Sequence, residues 1–359
     1  MPNSRNDFLN SLASLQIRYN LGAGVPPVNL YPAFNPGRLF GINPVSATDK
    51  SINYHSTAGF IKDAAAGVLQ ENEGLEFDPE NIVVTNGVQE AIALTVACFR
   101  NKPLACIDPS YPGFEDAVSA FGSSLLKLST DNWLKELEAL PEGSLFYLSA
   151  DFSNPLGYSL SLEERVQLTR LAAKNKFYIF DDATYRPFNL DPALPTLLSL
   201  NREFVIHALS FSKILAPGLR TAFVYLPKDL KQVFVANKSN LSLNNSGITQ
   251  TIVENWLQEN NFQLSAHLGK AKVRLSKNRK VLEKYDIAYN GGFFCTLNIG
   301  QKADFDFCEA LLKKEQIAAI PMCLFSDNPK FEKQLRLCLS NIEQDALDLV
   351  LNLIKNFVP

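Results

Sequence analysis

The sequence of 359 residues contains little of what several protein classes require. It has three histidines and six cysteines, and no two cysteines form a CxxC pair. A zinc site of common spacing and a disulfide-stapled secreted fold are therefore both unsupported. No apolar run approaches the roughly 20 residues of a membrane-spanning helix, and the N-terminus lacks the apolar stretch of a secretion signal. These absences predict a cytoplasmic protein with reduced cysteines, no metal ion and no membrane partner.

Long blocks of like charge are absent as well. The chain carries 34 basic and 37 acidic residues, which are scattered and give a formal net charge of −3. A nucleic-acid-binding protein would carry a basic patch, so no nucleic acid is expected as a partner. No GxGxxG segment follows an apolar run, which argues against a dinucleotide-dependent dehydrogenase.

What the chain does have is a regular alternation of short apolar runs and amphipathic stretches. Six such runs lie between residues 81 and 226, and they are NIVV, PLACI, SLFYLS, KFYIFDD, FVIHALS and RTAFVYL. Helical patterns separate them, and Ser161 with Glu164 forms a capping box at the start of one helix. This alternation predicts an α/β fold around a largely parallel sheet.

The pattern changes along the chain and predicts three parts. Residues 1–45 are rich in glycine, proline and asparagine and are predicted to form an N-terminal arm that joins the small domain. Residues 46–235 carry the alternating pattern and form the predicted large domain. Residues 236–359 contain longer helical patterns and the strand-like segments FFCTLNI and QLRLCLS, so they are predicted to form a smaller α+β domain.

Polar residues that follow the strands are the candidate functional residues, because open α/β sheets bind ligands at the carboxyl ends of their strands. Residues 85–90 follow the first run, residues 153–157 the third and residues 210–220 the fifth, while residues 181–185 end the fourth. Each cluster alone is ordinary loop chemistry. Their succession along one edge of a predicted sheet indicates a ligand site.

Two of these clusters carry reactive groups. Asp181 and Asp182 are adjacent carboxylates at an apolar strand end, and burying them requires a cationic partner such as a protonated pyridine nitrogen. Lys213 stands alone among small and apolar residues, where desolvation lowers the pKa of an amine and makes it a nucleophile.

The segment Ser210–Arg220, SFSKILAPGLR, resembles the Ser-x-Ser-Lys-x-x-x-Pro-Gly-x-Arg motif of the class I and II aminotransferases. The resemblance extends over about residues 54–340. It implies a fold-type I transferase, with a large domain around a mainly parallel sheet and a smaller α+β domain. In this family pyridoxal 5′-phosphate forms a Schiff base with a lysine that corresponds to Lys213. The resemblance also implies that Ser210, Ser212 and Arg220 bind the phosphate of the cofactor.

The same resemblance assigns residues around the cofactor ring. It implies that Asn154 and Tyr185 bond the ring oxygen O3′, and that Asp182, three positions before the tyrosine, binds the pyridine nitrogen. Asp181 is the alternative partner of this nitrogen. Tyr111, within the segment Pro109–Pro112, corresponds to the aromatic residue that stacks on the ring.

Further residues are implied at the phosphate and at a subunit interface. Val88 and Gln89 open a predicted helix whose free amides bind phosphate, and Val88 replaces a hydroxyl residue often found there. Tyr54 corresponds to a tyrosine that reaches the phosphate of the neighbouring subunit. The resemblance therefore implies a homodimer with shared active sites.

Three residues are implied at the substrate. Arg336, in QLRLCLS, corresponds to an arginine that forks onto the substrate α-carboxylate, the alternative being a surface charge. Gly24 corresponds to a glycine beside the substrate, although Gly22 fits nearly as well, and Asn154 also contributes. Candidates for the pocket around the substrate side chain are Tyr31, Phe34 and Phe293.

The implied activity is transfer of an amino group from an L-amino acid to a 2-oxo acid, with Lys213, Asp182, Tyr185 and Asn154 as catalytic residues. A β-lyase, a decarboxylase or a cyclising synthase would use the same lysine, and a non-catalytic protein could bind pyridoxal phosphate or an amino acid. The features are most similar to the kynurenine/2-aminoadipate aminotransferase branch. That branch includes regulators with an N-terminal DNA-binding domain, which this chain is expected to lack.

Overall fold

The computed structural model describes residues 16–27, 30–31 and 50–358, so most of the predicted N-terminal arm lies outside the described residues. The described strands are β1 (Tyr19–Asn20), β2 (Ile82–Thr85), β3 (Leu104–Asp108), β4 (Leu125–Ser129), β5 (Leu145–Leu148), β6 (Tyr178–Asp182), β7 (Val205–Ser210), β8 (Ala222–Tyr225), β9 (Phe294–Asn298), β10 (Ile317–Ala318), β11 (Ile320–Pro321) and β12 (Gln334–Cys338). The described α-helices are α1 (Lys62–Glu73), α2 (Val88–Cys98), α3 (Pro112–Ala120), α4 (Trp133–Leu137), α5 (Leu162–Asn175), α6 (Leu197–Leu200), α7 (Phe211–Ile214), α8 (Lys228–Leu241), α9 (Gly247–Glu259), α10 (Ser265–Glu283), α11 (Phe305–Glu315) and α12 (Gln344–Asn356).

Seven strands form one sheet in the order β2-β8-β7-β6-β5-β3-β4. β3 pairs in parallel with β4 and β5, and β6 pairs in parallel with β5 and β7. β8 runs antiparallel to both of its neighbours, β2 and β7. Each of the six apolar runs of the sequence overlaps one strand of this sheet. The predicted α/β fold with a mainly parallel sheet is confirmed.

The strand that the sequence pattern missed is β4, at the edge of the sheet. It pairs only with β3 there, and Leu126 in its middle is 50% exposed. Central parallel strands are buried on both faces and therefore form continuous apolar runs, whereas an edge strand is wetted on one side. The polar Lys127 interrupts the apolar pattern for this reason.

Helices cover both faces of the sheet. α2, α3 and α8 pack on one face through residues such as Ile92, and α1, α5 and α6 pack on the other through residues such as Leu168. α5 begins at the predicted capping box, because Ser161 accepts the backbone N–H of Glu164 while the glutamate accepts the backbone N–H of the serine. No helix in the described part of the chain is long and apolar enough to cross a membrane.

The C-terminal part contains a second, antiparallel sheet in the order β11-β12-β9. β1 pairs in parallel with β10, so the N-terminal residues 19–20 lie beside residues 317–318. The predicted boundary at residue 235 falls inside α8. The limits of the arm and of the two domains stay a prediction.

A buried ion network fixes the loop between β5 and α5. Arg165 is fully buried, forks onto Asp151 at 2.6 and 3.2 Å, and donates to three backbone carbonyls. Arg186 links Asp151, at 2.9 Å, to Glu73, at 2.6 Å. Because this loop carries Asn154, the network also determines where the amide of that residue lies.

Replacing Arg165 by leucine is expected to destabilise the fold strongly. The change removes the buried ion pair between Arg165 and Asp151. We expect the free energy of unfolding, measured by urea denaturation, to fall by about 3 kcal/mol. The control is Lys284→Ala, which breaks an exposed pair with Asp348 and should cost less than about 1 kcal/mol. Equal losses in the two variants would contradict the role given to Arg165.

Candidate active site

A cavity of about 270 Å³ opens at the carboxyl ends of β5, β6 and β7, where open α/β folds bind their ligands. The residues that line it are Gly24, Val88, Gln89, Tyr111, Ser149, Asn154, Asp182, Thr184, Tyr185, Ser210, Ser212, Lys213, Arg220, Phe294 and Arg336. All residues predicted to bind the cofactor or to act in catalysis, except Tyr54, belong to this set, as do the predicted substrate contacts Gly24 and Arg336. The fold thus gathers residues from position 24 to position 336 into one site.

One end of the cavity gathers hydrogen-bond donors around Arg220. Its Nη1 donates to Ser212 Oγ at 3.2 Å, and its Nη2 donates to the carbonyl of Asn86 at 3.1 Å. Gly87, with a φ of 78°, precedes α2, and a Cβ at this position would lie 2.6 Å from Arg220 Nη2. Only glycine therefore lets the guanidinium lie against the start of the helix. A guanidinium, a hydroxyl and free helix amides form a site for an anion.

Residues at the start of α2 also hold the aromatic wall of the cavity. Val88 and Gln89 open the helix, and Gln89 Nε2 donates to the carbonyl of Gly113 at 2.8 Å. The hydroxyl of Tyr111 donates to Gln89 Oε1 at 3.1 Å, which fixes the phenol ring at the cavity wall.

Ser210 ends β7, and its Oγ accepts the backbone N–H two residues further on at 3.2 Å.

Of the two adjacent carboxylates, Asp182 faces the cavity, because successive side chains of β6 point to opposite faces of the sheet. Asp182 Oδ2 accepts the hydroxyl of Tyr147 at 3.0 Å, and Oδ1 accepts the backbone N–H and the hydroxyl of Thr184 at 3.1 and 2.5 Å. Burial, together with the neighbouring charge of Asp181, raises the pKa of Asp182. Asp181 lies on the opposite face and pairs with His207 at 2.9 Å.

Lys213 lies in α7, directly after β7, and its amine is inside the cavity. The Nζ donates to the carbonyl of Gly24 at 2.5 Å. Burial lowers the pKa of Lys213, and the positive charges of Arg220 and Arg336 act in the same direction. The amine is therefore neutral at lower pH than an ordinary lysine, and the neutral form is the one that attacks a carbonyl carbon.

Arg336 is only 8% exposed, so the surface-charge alternative is wrong. Its Nη1 donates to Asn154 Oδ1 at 3.0 Å, and its Nη2 donates to the carbonyl of Gly22. The guanidinium lies over the rings of Phe294 and Phe325, 4.4 and 5.0 Å from their centroids. Within the described residues its buried Nε has no hydrogen-bond partner. A buried guanidinium with a free donor suits a carboxylate.

Two glycines allow backbone segments to pack tightly beside Phe294. A Cβ at Gly24 would lie 2.7 Å from Phe294 Cζ and 3.6 Å from the hydroxyl of Tyr185. Gly157 has a φ of 69°, and a Cβ there would lie 2.2 Å from the carbonyl oxygen of Phe294. Gly22 faces Ile320 and does not line the cavity. Between the two glycine alternatives, Gly24 is the one that borders the site.

Several predicted residues lie elsewhere. Tyr54 is 81% exposed and does not line the cavity of its own chain. Phe34 lies outside the described residues, and Tyr31 is exposed and away from the cavity. The prediction for Phe293 is wrong by one position, because β9 begins with Phe294 facing the cavity while Phe293 packs in the core.

Sequence reasoning missed three lining residues, which are Ser149, Thr184 and Phe294. Thr184 belongs to the identified cluster at residues 181–185, and Ser149 ends the apolar run SLFYLS. Their position at a strand end was the available signal, but neither residue carries a charge or a reactive group. Within residues 16–27, 30–31 and 50–358, no cluster of histidine, cysteine and acidic side chains is arranged to hold a metal ion. All six cysteines are unpaired.

Lys213 follows β7, which is the fifth of the parallel strands in chain order, and it lies in the cavity. This placement and the sheet order define the architecture of the fold-type I transferases. The chain belongs to the aminotransferase class I and II family, whose model matches residues 45–354. The resemblance found in the sequence is thereby confirmed at the level of the family.

Relatives of the chain include enzymes and regulators. YdeF of Bacillus subtilis, an uncharacterized HTH-type transcriptional regulator, is 30% identical over 211 residues, which are 56% of this chain and 45% of YdeF. The 2-aminoadipate transaminase of Thermus thermophilus is 26% identical over 353 residues, 91% of this chain and 87% of that enzyme. The solved structure of LysN, an α-aminoadipate aminotransferase from Thermus thermophilus complexed with N-(5′-phosphopyridoxyl)-L-leucine, has a TM-score of 0.82 at 22% identity, covering 99% of this chain and 94% of LysN. The chain spans about half the length of YdeF and of a second regulator relative.

The lowered pKa of Lys213 predicts unusual reactivity toward small acylating reagents. Because its amine becomes neutral at lower pH, we expect its acylation rate to reach half its maximum below the pH that an unperturbed lysine, with a pKa of about 10.4, would need. Timed labelling at a series of pH values, followed by peptide mass spectrometry, measures the rate at each lysine. A half-maximal rate for Lys213 at the same pH as for the exposed lysines would contradict the burial effect.

Proposed function

We propose that the chain is a pyridoxal-phosphate-dependent aminotransferase that moves an amino group from an L-amino acid to a 2-oxo acid. The observation that carries the proposal is one cavity that is lined by the buried amine of Lys213, the carboxylate of Asp182 and the guanidinium of Arg336. Membership of the aminotransferase family and the Thermus thermophilus transaminase relative support it. The amino acid is left open, and the cytoplasmic location stays a prediction.

The polar groups of the cavity match the phosphate, the ring nitrogen and the ring oxygen of pyridoxal phosphate. The anion site at Arg220 and the start of α2 suits the phosphate, and the ring of Tyr111 suits the face of the pyridine. Asp182 has no cationic partner within the described residues, so a protonated pyridine nitrogen would complete its environment. Asn154 and Tyr185 can bond the ring oxygen O3′ from their positions in the lining.

When bound, pyridoxal phosphate supplies an aldehyde that captures amines and a protonated ring that withdraws electrons from the substrate Cα. Lys213 Nζ would hold the cofactor, and the same amine, when free, would accept the substrate Cα proton as a general base. Burial lowers the pKa of Lys213, so the neutral amine that can accept this proton forms at lower pH than in an ordinary lysine. The Asp182 carboxylate keeps the proton on the pyridine nitrogen.

Arg336 and Asn154 bind the substrate α-carboxylate in this proposal. The free Nε donor of Arg336 and its planar guanidinium suit a carboxylate, and the rings of Phe294 and Phe325 shield it from water. A carboxylate held in this way stays on the substrate. The arrangement therefore favours transamination over decarboxylation.

A second candidate is a non-catalytic module that binds pyridoxal phosphate and an amino acid and responds by changing conformation. The observation that favours it is the similarity to YdeF, of which this chain spans less than half. Such a module would use the same cavity. It differs from the aminotransferase by binding its ligands without turnover.

We further propose a homodimer in which Tyr54 completes the site of the partner subunit. Tyr54 is 81% exposed, which leaves its phenol available to a second chain. The next residue is anchored, because the ring of His55 contacts the carbonyl of Asn245 at 2.9 Å and the side chain of Gln250 at 3.0 Å. A tyrosine projecting from an anchored segment is suited to reach across an interface.

The aminotransferase proposal predicts a covalent cofactor on Lys213. Mixing the protein with pyridoxal phosphate should give a visible absorbance, and borohydride reduction should leave the cofactor on the peptide that contains Lys213 in mass spectra. Lys213→Ala should abolish the adduct, and Lys277→Ala, at an exposed position of α10, should keep it.

Products then separate the candidate functions. Stoichiometric conversion of an amino acid to its oxo acid, with amination of a second oxo acid, supports the aminotransferase. Release of ammonia and pyruvate from one substrate would support a lyase, and a bound cofactor without turnover over a full amino-acid panel would support the binding module. A protein that ignores the cofactor would contradict all of them.

The shared site predicts complementation between two inactive variants. A mixed dimer of Tyr54→Ala and Lys213→Ala chains contains one site with both wild-type residues, so random exchange should restore about one quarter of the wild-type sites. Activity is measured after the two purified variants are unfolded and refolded together. No recovery, while refolded wild-type protein is active, would contradict the shared site.

A further inference from the structure

A buried histidine–aspartate pair lies behind the proposed active site. The parallel register of β6 and β7 places Asp181 opposite His207, and His207 Nδ1 lies 2.9 Å from Asp181 Oδ2. The two residues are 1% and 2% exposed. No step of the proposed reaction uses either residue, so their burial needs another explanation.

The second oxygen of Asp181 is bonded to the base of the turn that carries Asn154. Asp181 Oδ1 accepts the backbone N–H of Ala150 at 3.1 Å. Ala150 follows Ser149, a lining residue of the cavity, and its carbonyl accepts Arg165 Nη2 at 3.0 Å. The backbone around Ala150 is thus held from both sides. His207 is the side chain that orients the carboxylate on one of these sides.

The pair also sets the charge beside Asp182. Burial raises the pKa of Asp181, but the hydrogen bond and charge of His207, the N–H of Ala150 and the charge of Arg165 together lower it below its usual value. Asp181 is therefore ionised, and its charge contributes to the raised pKa of Asp182. A change in the partner of Asp181 must alter the field at Asp182, because the two carboxylates are consecutive residues.

His207 also borders a second cavity, on the side of the sheet opposite the proposed active site. This cavity has a volume of about 240 Å³, and within the described residues His207 Nε2 has no hydrogen-bond partner. The ionisable groups that face it there are Glu73 on α1, Arg186 after β6 and Lys272 on α10. On the sheet itself the ring of Tyr225, from β8, lies 5.9 Å away.

We propose that His207 is a positioning residue of the active site: through Asp181 it holds the Ala150 amide at the base of the Asn154 turn, and it orients the buried carboxylate next to Asp182. The proposal rests on the proposed function for its catalytic consequence. Its structural part, the hold on the Ala150 amide, does not depend on any cofactor.

Hydrogen–deuterium exchange of the cofactor-free protein tests the structural part. His207→Phe fills the ring space without donating to Asp181, and we expect the amides of residues 150–154 to exchange about tenfold faster. His207→Asn can still donate to Asp181 and should keep nearly wild-type exchange. The matched control is Tyr225→Phe, which removes a buried hydrogen bond to Ala65 on the same sheet face and should leave residues 150–154 unchanged.

The loaded enzyme tests the electrostatic part. The visible absorbance of the cofactor bound to Lys213 is followed as the pH is varied. We expect the midpoint pH of this change to move by about half a unit or more in His207→Phe and in Asp181→Asn. In Tyr225→Phe the midpoint should stay at the wild-type pH. We expect kcat to fall in His207→Phe while the KM for the amino acid changes less. If His207→Phe does not fold, Asp181→Asn carries both measurements, because it keeps the volume of the side chain and removes the charge.

Wild-type exchange and a wild-type midpoint in His207→Phe would overturn the proposal. Equal damage in His207→Asn and His207→Phe would also overturn it, since packing and not the hydrogen bond would then be the cause. A wild-type protein that forms no covalent adduct on Lys213 would instead refute the proposed function, and the exchange experiment would still decide the role of His207 in the fold.

Discussion

The alternation of side chains along β6 is the constraint on which the rest of the site depends. Consecutive residues of a strand face opposite sides of the sheet, so Asp182 faces the cavity and Asp181 faces His207. Two adjacent carboxylates would repel each other in one pocket. Because they face opposite sides of the sheet, each carboxylate has its own partners. Asp182 is the one that can bind a cation in the cavity.

The charges of the cavity follow from this arrangement. Arg220 and Arg336 contribute positive groups against the single carboxylate of Asp182, and the two arginines have different neighbours in the lining. Such a cavity suits a ligand with two separated anionic groups and one cationic nitrogen. A phosphate, an α-carboxylate and a protonated pyridine together match that description, and this match is the reason for proposing pyridoxal phosphate and an amino acid as the ligands.

Much of this site was accessible from the sequence because its chemistry is concentrated in short segments. SFSKILAPGLR contains four of the lining residues, and the cluster at residues 181–185 contains three more. The misses have physical causes. β4 is an edge strand without a continuous apolar run, and Phe294 differs from Phe293 only in which face of β9 it occupies. Ser149 and Thr184 carry no charge that would single them out.

The sequence by itself determined the α/β class, the succession of strand-end clusters and the family, because local periodicity and compact motifs encode them. Only the tertiary structure decided which aspartate faces the cavity, that Arg336 is buried beside Asn154, and that Gly24 rather than Gly22 borders the site. These choices depend on register, packing direction and contacts between residues far apart in the chain. The spacing of neighbouring residues in the sequence does not determine any of these three features.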